Sequence, residues 1–300
     1  MKLHYFKSDP TNFGDELNAW MWPKLLPEAF LDEDGETLFL GIGSILSNAL
    51  PPARRYIIAG SGYGGYRPPP TMDEGQWETL FLRGPQTAAA LGLPADLAIT
   101  DGAILVHGLR DQIPAPATPG GIGVMPHYAS LYRADWEAIC ARAGLIFVDP
   151  RHTPEEILSQ ISGLDLLLSE AMHGVILADI LRTPWRALRP LLVDHRGKWE
   201  DWAASLGVDI DWADPRPGSV HEAITHYGKR RLLGRQSVRL LQSPPARWLS
   251  VPFERTAATR LSKIAGEGGG QLSDPERLET AAAKAQAALD AFITRETASA

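Results

Sequence analysis

The residue with the clearest chemical potential is His173, in Ser169-Glu170-Ala171-Met172-His173-Gly174. The apolar run 164–168 before it reads as a strand, and 173–181 reads as a helix. An imidazole at a helix start, beside a strand's carboxyl end, could act as acid or base near neutral pH. Gly174 would leave room for a ligand. The same placement also suits a histidine that only packs. His127, in Met125-Pro126-His127-Tyr128, follows another apolar run and could face the same cleft. Arg83 precedes Gly84-Pro85, and proline suits a first helical turn. A guanidinium beside a helix N-terminus offers bidentate donors and backbone N–H groups to an anion. The alternative is an arginine paired with Asp101 or Glu78.

Other polar residues fall at the same kind of place. Asn12-Phe13-Gly14-Asp15 follows the first strand; Asp15 could face a ligand or cap the next helix. Gly41-Ile42-Gly43-Ser44 and Gly60-Ser61-Gly62-Tyr63-Gly64-Gly65 could bring backbone close to a phosphate, or could be plain turns. Neither carries a dinucleotide fingerprint or a phosphate-loop lysine. The histidines and acids match no metal-binding spacing. The lone Cys140 makes neither an internal disulfide nor a multi-thiolate zinc site. Neither a metal nor a cofactor is expected.

The elements that must position these residues alternate. Strands are expected at 3–6, 38–40, 56–59, 79–82, 97–99, 122–125, 145–148, 164–168 and 184–188. Helices are expected at 14–26, 85–91 with Gly92 as cap, 131–143, 154–161 started by Thr153, and 173–181. Trp199 and Trp202 have one-turn spacing and could pin a helix to the core. A last helix starts at Ser273-Asp274-Pro275, with Leu278, Ala282, Ala285, Leu289 and Phe292 on one stripe. Strand, glycine turn and helix in repetition predict an α/β fold with open parallel sheets.

The proline-rich stretch 109–121 reads as a linker. It divides the chain into a Rossmann-like domain over 1–112, a second over 113–215, and an extension over 216–300 ending in the terminal helix. The chain has 300 residues, 44% of them hydrophobic and 22% charged, which excludes a disordered or fibrous protein. Its net charge of −7 argues against non-specific nucleic-acid binding. No apolar run approaches the roughly 18 residues of a membrane span. A cytoplasmic protein is expected, one that would meet a membrane only from its inner face.

Taken in order, Asn12 to Asp15, Gly41 to Ser44, Leu82-Arg83-Gly84-Pro85, Asp101-Gly102-Ala103-Ile104-Leu105 and Ser169 to Gly174 resemble the polysaccharide pyruvyl transferase family. The resemblance covers about residues 3–200 and is nearest to bacterial exopolysaccharide members of succinoglycan type. It implies two domains arranged as in GT-B glycosyltransferases. It implies phosphoenolpyruvate as donor and a sugar or lipid-linked oligosaccharide as acceptor, joined as a pyruvate ketal. By position it makes His173 the catalytic histidine, Arg83 a donor-binding arginine and Asp15 the acidic residue of the first loop, which is expected to be catalytic too; Lys198, Gly43, Ser44 and Gly62 are expected beside Arg83 at the donor. Asn12, His127 and Glu170 fall to the acceptor. Many members carry an arginine two residues before the histidine, where Ala171 stands here. Lys198, Arg182, Arg186 and Arg196 are the candidate replacements. Tyr63, Tyr66, Tyr128 and Trp199 could stack on a sugar. Two other functions fit the same residues: a nucleotide-sugar glycosyltransferase of GT-B type, and a non-catalytic glycan-binding member. The last helix could also pair two copies of the chain.

Overall fold

Short apolar runs such as Leu38-Phe39-Leu40 and Tyr56-Ile57-Ile58-Ala59 are too brief for helices and carry no polar alternation, the pattern of strands buried on both faces. In the computed structural model, which describes residues 1–190, 196–228 and 244–299, these runs form two parallel sheets. The first sheet orders β1 (Lys2–His4), β2 (Thr37–Leu40), β3 (Arg55–Ala59) and β4 (Trp77–Phe81) in sequence. The second contains β5 (Ile122–Met125), β6 (Ile146–Phe147), β7 (Leu166–Ser169), β8 (Trp185–Leu188) and β9 (Trp212–Ala213), in the order β6-β5-β7-β8-β9. The α/β class expected from the alternation is the one found.

The helices form where local chemistry starts and stops them. Helix α1 (Phe13–Leu25) buries Leu17 and Met21, and α2 (Pro85–Leu91) begins with proline and ends at Gly92 in the left-handed conformation. Asp135 caps α3 (Trp136–Ala143) by accepting from the Ala138 N–H at 3.1 Å. A capping box of Thr153 and Glu156 starts α4 (Pro154–Gly163). Helix α5 (Met172–Ile180) is buried almost all round, as its lack of a polar stripe demands. Then come α6 (Arg196–Leu206), α7 (Val220–Gly228), and two long helices, Pro244–Gly266 and Pro275–Ser299.

One core runs through both sheets. It joins Leu17, Trp22 and Phe39 to Val175, Trp185 and Trp202. The C-terminal helix closes it: Leu278, Ala282, Ala285, Leu289 and Phe292 are all buried, as their stripe predicts. Last in the chain, this helix returns to the first sheet, where Glu296 accepts two hydrogen bonds from Arg55 at 2.7 and 2.9 Å.

Several expectations differ from the structure: the strand expected at 3–6 ends at His4, and the helix expected at 131–143 begins only at Trp136. Residues 97–99 are not a strand: Ala95–Leu97 is a 3-10 turn, and only the Leu97 carbonyl reaches a strand end, accepting from the Leu82 N–H at 2.7 Å. The start of the expected linker belongs to the 3-10 helix Gly102–Gln112, capped by Asp101. The helix Pro244–Gly266 has no counterpart in the sequence reading, because Pro252 interrupts its pattern. Within the expected extension, residues 229–243 and 300 lie outside the described residues. No described helix is long and apolar enough to cross a membrane.

Candidate functional site

The carboxyl ends of parallel strands release the chain into loops and helix starts, so polar groups gather there. Here the carboxyl ends of both sheets open on one cavity of about 610 Å³. Asn12 and Asp15 reach it from the chain after β1, Gly43 and Ser44 from the loop after β2, and Tyr63 from the loop after β3. His127 and Tyr128 follow β5, and His173 lies in the first turn of α5. Lys198 enters from the first turn of α6.

His173 is mostly enclosed. Its Nε2 is sealed from solvent, has no hydrogen-bond partner, and lies 3.8 Å from Asp101 Oδ1. Its Nδ1 sits over Gly14, where an added Cβ would come within 2.4 Å of it. Gly14 is therefore the residue that lets α1 and α5 meet. Asp15 accepts from Asn12 Nδ2 at 2.8 Å. Burial raises the Asp15 carboxyl above its ordinary value, against the Asn12 bond and the positive groups at His173 and Lys198. Burial, helped by the nearby Arg83 charge, pushes the Lys198 ammonium down to about 8, while Asp15 and Asp101 pull the other way.

Arg83 is fully buried and does not line the cavity. Its Nε donates to Asp201 Oδ2 at 3.0 Å, its Nη1 to Ser44 Oγ at 2.6 Å, and its Nη2 to the Tyr63 carbonyl at 2.8 Å. The partner is thus neither Asp101 nor Glu78, the two considered from sequence. A Cβ on Gly62 would lie 2.0 Å from the Arg83 Cζ, so that glycine makes way for the guanidinium rather than for a phosphate. Arg83 and Gly62 form the wall that holds Ser44 and Tyr63.

The profile of the family described as polysaccharide pyruvyl transferase matches residues 75–190, from β4 to just past β8, the stretch that carries Arg83, Asp101, Glu170 and His173. The succinoglycan biosynthesis protein ExoV of Rhizobium meliloti (strain 1021) is 38% identical over 215 residues, covering 69% of this chain. The chain belongs to the polysaccharide pyruvyl transferase family. The alignment with its rhizobial relative covers 66% of that protein, just under two thirds of its length.

Where the resemblance implies an arginine, Ala171 is the N-cap of α5 and offers no cation. Of the four candidate replacements, Lys198 lines the cavity. Arg182 is bound to Ser273, and Arg186 to Glu267 and the Ile264 carbonyl, both away from it. Arg196 does not line it either. Glu170 stands behind the cavity wall, where it accepts from the His127 N–H at 3.0 Å and Ser130 Oγ at 2.6 Å. It shapes the loop that presents His127. Tyr63, Tyr66 and Tyr128 line the cavity, whereas Trp199 is buried edge-on against Trp212 at 5.1 Å. Gly174 is filled by protein: a Cβ there would meet Met125 Sδ at 2.6 Å. Lys7 and Arg67 also line the cavity, and the sequence reading passed over both. Their signal is the strand-end rule itself, since Lys7 follows β1 and Arg67 follows the glycine loop after β3. Among the described residues, no three His, Cys, Asp or Glu side chains are grouped to hold a metal ion.

Proposed function

We propose that this protein is a pyruvyl transferase of exopolysaccharide biosynthesis. It moves the enolpyruvyl carbons of phosphoenolpyruvate onto two hydroxyls of one sugar, free or on a lipid-linked oligosaccharide. The observation that carries this reading is the convergence of His173, Asp15 and Lys198 on one cavity, with His173 inside the family match. The two sheets, 1–112 and 113–215, are read as Rossmann-like halves in a GT-B-like arrangement, with the substrates between them at the cytoplasmic face of the membrane.

The donor carries a carboxylate and a phosphate, which call for fixed positive charge and free N–H groups. Lys198 supplies the charge that Ala171 lacks, and the first turn of α5 supplies N–H groups. Arg83 acts one layer back, fixing Ser44 and the Tyr63 backbone. His173 gives a proton to the methylene carbon, leaving an oxocarbenium-like centre at the next carbon. One sugar hydroxyl adds there and loses its proton; the second hydroxyl then displaces phosphate from the same carbon, and its proton leaves with the phosphate. The raised Asp15 carboxyl is suited to receive the proton of the attacking hydroxyl. Asn12 holds Asp15 in place, and the cavity tyrosines offer faces for the sugar.

The test is phosphate release from phosphoenolpyruvate with a panel of oligosaccharide acceptors. His173→Ala is expected to slow it about 10²–10⁴-fold. Turnover close to that of the unaltered protein would remove the assignment. Thermal stabilisation by a nucleoside diphosphate but not by phosphoenolpyruvate would favour a nucleotide-sugar transferase instead.

A further inference from the structure

Asp101 ends the chain segment that follows α2 and begins the 3-10 helix Gly102–Gln112, against which α5 packs. It is fully buried. Its Oδ1 accepts from the Ala103 N–H at 3.0 Å, which caps that helix, but Oδ2 is sealed without a hydrogen-bond partner. A single cap bond leaves most of a carboxylate's acceptor capacity unused, and an unsatisfied buried oxygen is costly. The matching orphan is beside it: His173 Nε2, also sealed and also without a partner, 3.8 Å from Oδ1. Hydrogen bonds that serve catalysis are often long in a ligand-free site and tighten when substrate binds.

The ring has other charged neighbours. Asp15 on α1 and Lys198 on α6 share the cavity with it, as do His127 and Tyr128 from the loop after β5. Asp101 alone of the acidic pair stands outside the cavity, on the buried side of the ring. Two carboxylates thus flank one imidazole with different access to substrate.

We propose that Asp101 is a positioning residue that holds a proton on His173 Nε2 and leaves Nδ1 as the nitrogen that exchanges protons with substrate. The idea rests on the reaction read for this cavity. The imidazolium gives its Nδ1 proton to the donor's methylene carbon, forming the C–H bond as the carbon–carbon π bond breaks. The neutral ring keeps its Nε2 proton toward Asp101. Nδ1 regains a proton from the sugar hydroxyl that adds, directly or through Asp15.

The full chain, labelled with ¹⁵N-histidine, tests this, the His173 signals being identified by their loss in His173→Gln. The neutral ring is expected to carry its proton on Nε2. Asp101→Asn and Asp101→Ser both keep an N-cap acceptor and remove the charge. In each, the His173 titration and the alkaline limb of kcat are expected to move to lower pH. The value of kcat should fall about 10²-fold, with KM for phosphoenolpyruvate within a few-fold. A neutral ring protonated on Nδ1 overturns the proposal. So does a lowered melting temperature with the titration unmoved, which would make Asp101 only a helix cap. Should both variants fail to fold, the tautomer in the unaltered chain decides. Absence of phosphate release by the unaltered protein would defeat the reaction reading, and the ¹⁵N result would stand apart from it.

Discussion

Arg83 and Asp201 form a fully buried ion pair, Nε to Oδ2 at 3.0 Å, that ties the end of the first sheet to α6. Asp201 does more than neutralise the guanidinium. Its Oδ1 accepts from the N–H groups of Gln86 and Thr87 at 2.8 and 3.1 Å, so it caps α2 from a distant part of the chain. Gly84, the N-cap itself, has no side chain for that task. Lys198 lies three residues before Asp201 on the same helix face, so the pair also fixes where that ammonium enters the cavity.

Truncating one partner strands the other charge in the interior. Asp201→Ala is expected to lower stability by about 3–5 kcal/mol, read by urea denaturation. The double replacement Arg83→Met with Asp201→Leu should recover much of that loss. It should not recover donor affinity, because Ser44 and Tyr63 lose their anchor.

Gly14→Ala tests the contact between α1 and α5. The new methyl would lie 2.4 Å from His173 Nδ1, so the imidazole has to move. Alanine suits a helix start at least as well as glycine, so the fold should hold. We expect a melting temperature within a few degrees of the parent and a kcat lower by about 10²-fold, the scale of an ångström's misplacement. Full activity with an unmoved ring would contradict the contact.

How far the sequence could be read follows from the range of each interaction. Most of the strand runs, 97–99 excepted, the Gly92 cap, the Thr153 capping box and the terminal stripe are local patterns that stand close to where they were expected. Asp15 and His173 were legible because strand ends collect functional groups. Asp201 was not, because a partner 118 residues from Arg83 leaves no local mark. The glycine loops misled for a related reason. Spacing reveals that side chains are absent, but not that Arg83 fills the space at Gly62. Lys198 is expected at the donor and is also one of four candidate replacements for the missing arginine, and of those four it alone lines the cavity.

Glu222 gives a pH signature that is separate from catalysis. Burial pushes its carboxyl up to about 7, although Arg133 Nε lies 3.7 Å away and pulls it down. The folded protein therefore holds a proton there between about 4.5 and 7 that the unfolded chain releases. Stability should fall as pH rises through that window, by about 3 kcal/mol in all. Glu222→Gln retains an oxygen to accept from the Gly218 N–H and should flatten the curve. Denaturation midpoints measured at pH 5, 6, 7 and 8 for both proteins check this, and parallel curves would refute it.

Lys198 has the opposite slope and, in the proposed function, a link to the donor. Its ammonium is pushed down to about 8 in the folded chain, against 10.5 for the ordinary side chain. Between those values the unfolded chain holds the proton and the folded one does not, so stability should rise with pH there. A bound donor, with a carboxylate and a doubly ionised phosphate, reverses the balance, because it favours the ammonium. Binding of phosphoenolpyruvate above pH 8 should then take up a proton, and its Kd should grow about tenfold per pH unit. Calorimetric titration in two buffers of different ionisation enthalpy reads the proton directly. Lys198→Arg, whose charge does not titrate in this range, should abolish the uptake while leaving a cation for the donor. Proton uptake that persists unchanged in that variant would place the titrating group elsewhere in the cavity.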